Sequence, residues 1–213
     1  MTIYNIEENY KNVIESIWND QKYQSVPFIE RGYAVQRDIP YGCILFIGIN
    51  PSFSEKKTKV IKSFFYSNHQ QKEVHRYFKK FQDIAVKTKI EWSHLDLLYI
   101  KQTDQKIVKS IFGDSIGNEF LRKQLEISKS IIEKSKPKVI IVSNAYARTL
   151  FIGECKIETV FDDTLGTHKI INNLSLEDTP IFFTSMLTGQ RALDNGSYER
   201  LVWHIKYVLK ETN

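Results

Sequence analysis

The stretch Cys43-Ile44-Leu45-Phe46-Ile47-Gly48-Ile49-Asn50-Pro51-Ser52 decides how this chain is read. Apolar residues, mostly β-branched or aromatic, run into a glycine and then Asn-Pro, the pattern of a buried strand that ends in a sharp turn. Pro51 lacks a backbone donor and drives Asn50 out of the helical region, so the Asn50 carboxamide is presented from an extended setting. In open α/β sheets, ligands sit outside the carboxyl ends of the strands. A carboxamide held there can position a water or a polar ligand, although a plain strand-to-loop exit uses the same dipeptide.

Working outward, residues 92–100 read as a second buried strand, 138–143 as a third and 181–184, opened by Pro180, as a fourth. Helical spacing of apolar residues marks 5–19, the segment containing Tyr77, Phe78, Phe81 and Ile84, then 104–112, 118–134 and 197–211. A cap followed by a short helix is expected at 144–150. An irregular segment at 21–41 holds a short edge strand near Tyr33, and residues 158–161 and 167–171 form a hairpin. Asp162 and Asp163 belong to its turn, because adjacent strand-end residues point in opposite directions and make a poor metal pair. Strands alternating with helices predict an α/β fold, a three-layer α/β/α arrangement around a central, mostly parallel four-stranded sheet. At 213 residues, one domain spanning 1–213 is expected.

Composition narrows the function classes. No apolar run approaches the roughly 18 residues of a membrane span, and no signal-peptide pattern opens the chain, so a cytoplasmic protein without membrane contact is expected. Cys43 and Cys155 form neither a disulfide framework nor a zinc pattern, and no metal, other cofactor or obligate protein partner is implied. The net charge of +5, with lysines concentrated in 55–62 and 72–89, suits an anionic partner such as DNA as well as a solvated face. His94 and Asp96 lie two apart on a buried strand, so they share one face. They satisfy each other there, or they line a site.

Gly48-Ile49-Asn50-Pro51 after an apolar strand resembles the first motif of the uracil-DNA glycosylase superfamily, most closely its mismatch-specific and single-strand-selective branches. The likeness runs from about Ile44 to the last helix. Lys136-Pro137-Lys138-Val139-Ile140-Ile141 is similar to the family's third strand, and Thr184-Ser185-Met186-Leu187-Thr188-Gly189-Gln190-Arg191 stands at the place of its second motif. The resemblance implies hydrolysis of the N-glycosidic bond of a deaminated or damaged base in DNA, with the base turned out of the stack and no metal required. Asn50 would position the attacking water and Ser185 would donate to the departing base. Gly48, Ile49, Pro51, Ser52 and Phe53 would surround the base, with Phe53 stacked on it. Tyr99 would face the base from the end of the strand where relatives carry an asparagine. Gly189, Gln190 and Arg191 would contact DNA. Three departures stand out: Ser52 where many relatives have glycine, Ser185-Met186 where the second motif starts His-Pro or Asn-Pro, and Leu97-Leu98-Tyr99 in place of that asparagine. They keep two other readings open, a nucleic-acid-binding module of the same fold with weak or no catalysis, and an enzyme acting on a free nucleoside or another small metabolite.

Overall fold

The computed structural model describes residues 2–53, 62–68, 74–189 and 192–212. Strand β1 (Ile3–Asn5) leads into helix α1 (Ile6–Asn19), whose N-cap Asn5 accepts from Glu8 N at 3.0 Å. Strands β2 (Ala34–Gln36), β3 (Asp38–Pro40), β4 (Ile44–Gly48) and β5 (Phe64–Tyr66) follow, then helix α2 (Lys79–Thr88) and strand β6 (Trp92–Asp96). Next come helices α3 (Gln105–Phe112) and α4 (Ser115–Ser135), strand β7 (Val139–Val142) and the short helix α5 (Ala145–Thr149). Strands β8 (Thr159–Asp162), β9 (Thr167–Ile170) and β10 (Pro180–Phe183) precede the last helix, α6 (Asn195–Glu211).

The main sheet has six strands in the order β6-β4-β7-β10-β9-β8, where the sequence pattern predicts four. β6, β4, β7 and β10 run parallel; β9 and β8 add antiparallel at the β10 edge. The expected hairpin is thus part of the main sheet, fastened by Thr167 Oγ1 donating to Ile181 O at 2.7 Å. Its turn is closed by Asp162, whose carboxylate accepts from Thr164 N and Leu165 N, both at 3.0 Å. Two further pairs flank the sheet, β1 antiparallel to β3 and β2 parallel to β5.

Burial follows the period of two. Leu45, Ile47, Ile140, Val142 and Ile181 belong to a core shared with α1 and α4, while Ile44, Phe46, Val139, Ile141 and Phe182 belong to one shared with α2 and α6. Phe46 stacks on Phe81 of α2, with ring centroids 4.3 Å apart and 12° between planes. The free thiols of Cys43 and Cys155 are buried packing groups. Among the described residues no helix is long and apolar enough to cross a membrane.

The second core strand is shorter than predicted. It ends at Asp96, and residues 97–100 stay buried but leave the ladder: Leu97 N donates to Gly48 O at 3.1 Å and Leu98 N to Ile49 O at 2.8 Å. Buried Gln124 of α4 then accepts from Tyr99 N at 2.7 Å and from Ile100 N at 3.3 Å. This bend carries the chain across the end of β4. From β4 the chain crosses to β6 on one side, and from β7 to β10 on the other, so the carboxyl ends of adjacent β4 and β7 form a topological switch point.

Phe46 is fully buried between sheet and α2. Phe46→Ala is expected to lower unfolding stability by about 3–5 kcal/mol in urea titration, whereas Trp203→Ala, at a site 66 % exposed, should stay within about 0.5 kcal/mol of the parent.

Candidate functional site

A pocket of about 520 Å³ opens at that switch point, bordered by the β4 end and by Ser143 and Asn144 just past β7. Asn50 sets its mouth. The side-chain nitrogen faces three backbone carbonyls: Pro51 O at 3.1 Å, Ile100 O at 3.2 Å and Gln102 O at 2.5 Å. Only an NH2 group can meet three acceptors, so the amide orientation is fixed and Oδ1 is the part of the carboxamide left for a ligand. Gln102 N returns a bond to Pro51 O at 3.0 Å, so the 50–51 turn and the 100–102 strap hold each other.

Gly48, His94 and Asp96 meet below this mouth. A Cβ on Gly48 would collide with Asp96 Oδ1 and stand 2.8 Å from His94 Nε2, so glycine is what admits both side chains. His94 Nε2 and Asp96 Oδ1 are 3.6 Å apart, too far for a hydrogen bond, and neither ring nitrogen of His94 has a partner among the described residues. Aromatic rings of Tyr77, Phe78 and Phe81 surround the imidazole at 5.2–6.1 Å between centroids. Burial without compensation disfavours charge on both groups: it pulls His94 down to about 3 and pushes Asp96 up to about 8. The pair is therefore uncharged at neutral pH rather than an ion pair. The phenols of Tyr66 and Tyr77 are raised by their own burial and by the neighbouring Asp96. Those two rings, with Phe64 and Phe78, give the pocket an aromatic wall.

The structure brings Gly48, Ile49, Asn50, Pro51 and Ser52 together on this pocket. Other expected residues lie elsewhere. Phe53 is not part of the lining; its ring is covered by the Arg31 guanidinium at 3.9 Å, and its backbone is paired with Thr103 Oγ1. Tyr99 is fully buried among the residues packed on α4, with its hydroxyl hydrogen-bonded to Ser128 Oγ at 2.8 Å, because the strand ends four residues earlier than the sequence suggests. Ser185 is exposed outside the pocket while its neighbour Met186 lines it. Gly189 is exposed, outside the lining, at φ +96°. Gln190 and Arg191 lie outside the described residues, as does most of the lysine-rich run at 55–62.

Sequence reasoning singled out His94 and Asp96 by their polarity on an apolar strand and favoured their pairing with each other; the 3.6 Å gap corrects that, and both residues line the pocket. It missed Asn68, Lys101 and Gln102, whose only signal was their nearness in sequence to aromatic or strand-end residues. Among the described residues no cluster of His, Cys, Asp and Glu could hold a metal ion. No protein-family model and no curated protein sequence matches the chain.

The buried pair fixes a pH signature. Asp96 binds its proton more tightly folded than unfolded, so its contribution is present below its ordinary 3.8 and lost as pH rises through about 8. His94 is depressed, so its contribution is lost as pH falls from its ordinary 6.5 through about 3. Between pH 6.5 and 8 only Asp96 acts, and wild type should lose about 1–2 kcal/mol across that window. Asp96→Asn should remove that decline; equal slopes for both proteins in urea unfolding at a series of pH values would mean Asp96 is already ionised in the fold.

Proposed function

We propose that the protein is a uracil-DNA glycosylase-like enzyme, with the three-layer α/β/α arrangement of that superfamily, that hydrolyses the N-glycosidic bond of a deaminated or damaged base in DNA. The observation that carries the reading is Asn50: its NH2 is held by three backbone carbonyls, which leaves Oδ1 for a ligand, and the residue lines a pocket with an aromatic wall. An oxygen so fixed can accept a hydrogen bond from a water and aim its lone pair at the anomeric carbon. A base turned out of the stack finds π faces in Tyr66, Tyr77 and Phe78 and polar partners in His94 and Asp96.

The departing base carries negative charge, which donors placed at its oxygens stabilise. Asp96 held neutral by burial can donate its proton in a hydrogen bond, where an ionised carboxylate would repel the leaving group. This assigns to Asp96 the donor role that the motif resemblance gave to Ser185. The net charge of +5 suits a polyanionic substrate.

A second reading, a binding module without turnover, is favoured by one observation: the bend after β10 contributes Met186 to the pocket and Ser185 stays outside it. Single- and double-stranded oligonucleotides containing uracil, hypoxanthine or an oxidised base, followed by alkaline cleavage at abasic sites, separate the two. The enzyme reading expects strand cleavage by wild type and a loss of roughly 10²-fold or more in Asn50→Ala. Salt-dependent DNA affinity with no cleavage from any of these oligonucleotides would leave the binding module.

A further inference from the structure

We propose that Lys101 and Gln102 form a subsite for a phosphate group of the nucleotide whose base enters the aromatic pocket. Lys101 is 3 % exposed, yet it lines the pocket and among the described residues has no carboxylate partner. Its ammonium donates to Lys62 O and lies 5.4 Å from the centre of the Phe64 ring, which leaves further N–H groups for a ligand. A buried cation without a counter-charge is costly, and an anion that arrives with the ligand removes that cost. Its burial lowers the affinity of the amine for its proton, as expected of a charge that nothing in the described structure offsets.

Gln102 supplies the second, independent observation. Its Oε1 accepts from Thr103 N at 2.8 Å and Asp104 N at 3.1 Å, which fixes the amide orientation. Nε2 is then a buried donor without an acceptor, at a residue 7 % exposed. Asn68 Nδ2, in the lining of the same pocket, is likewise without a partner. Among the described residues of this lining, these donors lack acceptors, so the group that fits them is rich in acceptors. A phosphate ester meets that description and carries the charge Lys101 needs. A base carbonyl would satisfy the amides but leave the ammonium uncompensated.

The subsite rests on reading the pocket as a nucleotide site, and its phosphate can come from a strand or from a free nucleotide. Binding of 2′-deoxyuridine is compared with that of 2′-deoxyuridine 3′,5′-bisphosphate and of a single-stranded oligonucleotide with one central uracil, for wild type, Lys101→Met, Lys101→Arg and Gln102→Leu. Folding of each variant is checked by circular dichroism. Wild type should prefer a phosphate-bearing ligand by about 10-fold or more; Lys101→Met should abolish the preference, Gln102→Leu reduce it and Lys101→Arg keep part of it. A preference confined to the oligonucleotide, with a salt slope smaller by about 1 in Lys101→Met, assigns the phosphate to a strand; one shared by the bisphosphate assigns it to a free nucleotide as well. No preference in wild type, or one that folded Lys101→Met retains, overturns the subsite. Base release is scored in the same samples: a Lys101-dependent preference without release keeps the subsite and removes the glycosylase reading, while release without the preference does the reverse.

Discussion

Two amide hydrogens on Asn50 and three carbonyl oxygens around them hold the working end of the molecule together. The bond set is local on one side, to Pro51, and reaches 50 residues along the chain on the other, to the strap that follows β6. Pro51 has no N–H of its own, yet its carbonyl accepts from Gln102 N, so the turn and the strap satisfy each other's backbone where neither belongs to the sheet. The same ties continue the contact between β4 and the chain leaving β6 beyond the ladder, through Gly48 O and Ile49 O. Every wall of the pocket contributed by residues 101–103 inherits its position from this set of bonds.

Against that well-satisfied frame stands a lining with unpaired polar atoms. Both nitrogens of His94, Nε2 of Gln102 and Nδ2 of Asn68 are buried without partners among the described residues. Each orphaned group costs on the order of 1–3 kcal/mol, a burden that the two apolar cores on β4, β7 and β10 must exceed. Buried polar atoms gathered around a cavity, while the apolar cores carry the stability, are the signature of a surface built for a ligand rather than for folding.

Much of the frame was legible in the sequence because it rests on local signals. The run at 44–48, the Asn-Pro turn, the strands near 139 and 181 and the cap at Asn144 follow from apolar spacing and from side chains that bond nearby amides. What misled was long-range. The apolar run continues unbroken through residues 97–100, so periodicity could not show that Gln124, 25 residues on, takes the Tyr99 amide and ends strand pairing at Asp96. The expected strand-end residue, Tyr99, therefore lies in the core, and Asp96 lines the pocket instead. The hairpin was visible as a hairpin, but nothing in residues 158–171 names the edge it joins, which is set by Thr167 reaching the backbone of β10. Ser185 and Met186 are neighbours in sequence, and a motif position alone could not say which of them faces the pocket.

The electrostatic state of the pocket follows from one cause acting on two kinds of group. Burial drives His94, Asp96 and Lys101 alike towards their neutral forms, but the consequences differ in sign. A neutral carboxyl gains a donor and loses a negative charge; an ammonium keeps N–H donors whether or not it surrenders one proton. Among the described lining residues the balance therefore shifts from accepting to donating hydrogen bonds, and the carboxyl of Asp96 carries no charge at neutral pH. Under the proposed reading, such a surface would receive a flat ring bearing oxygens, joined to a group that is all acceptor. A base with its flanking phosphate has that distribution of atoms, and an alkaline medium that ionised Asp96 would erode it from the floor of the pocket outward.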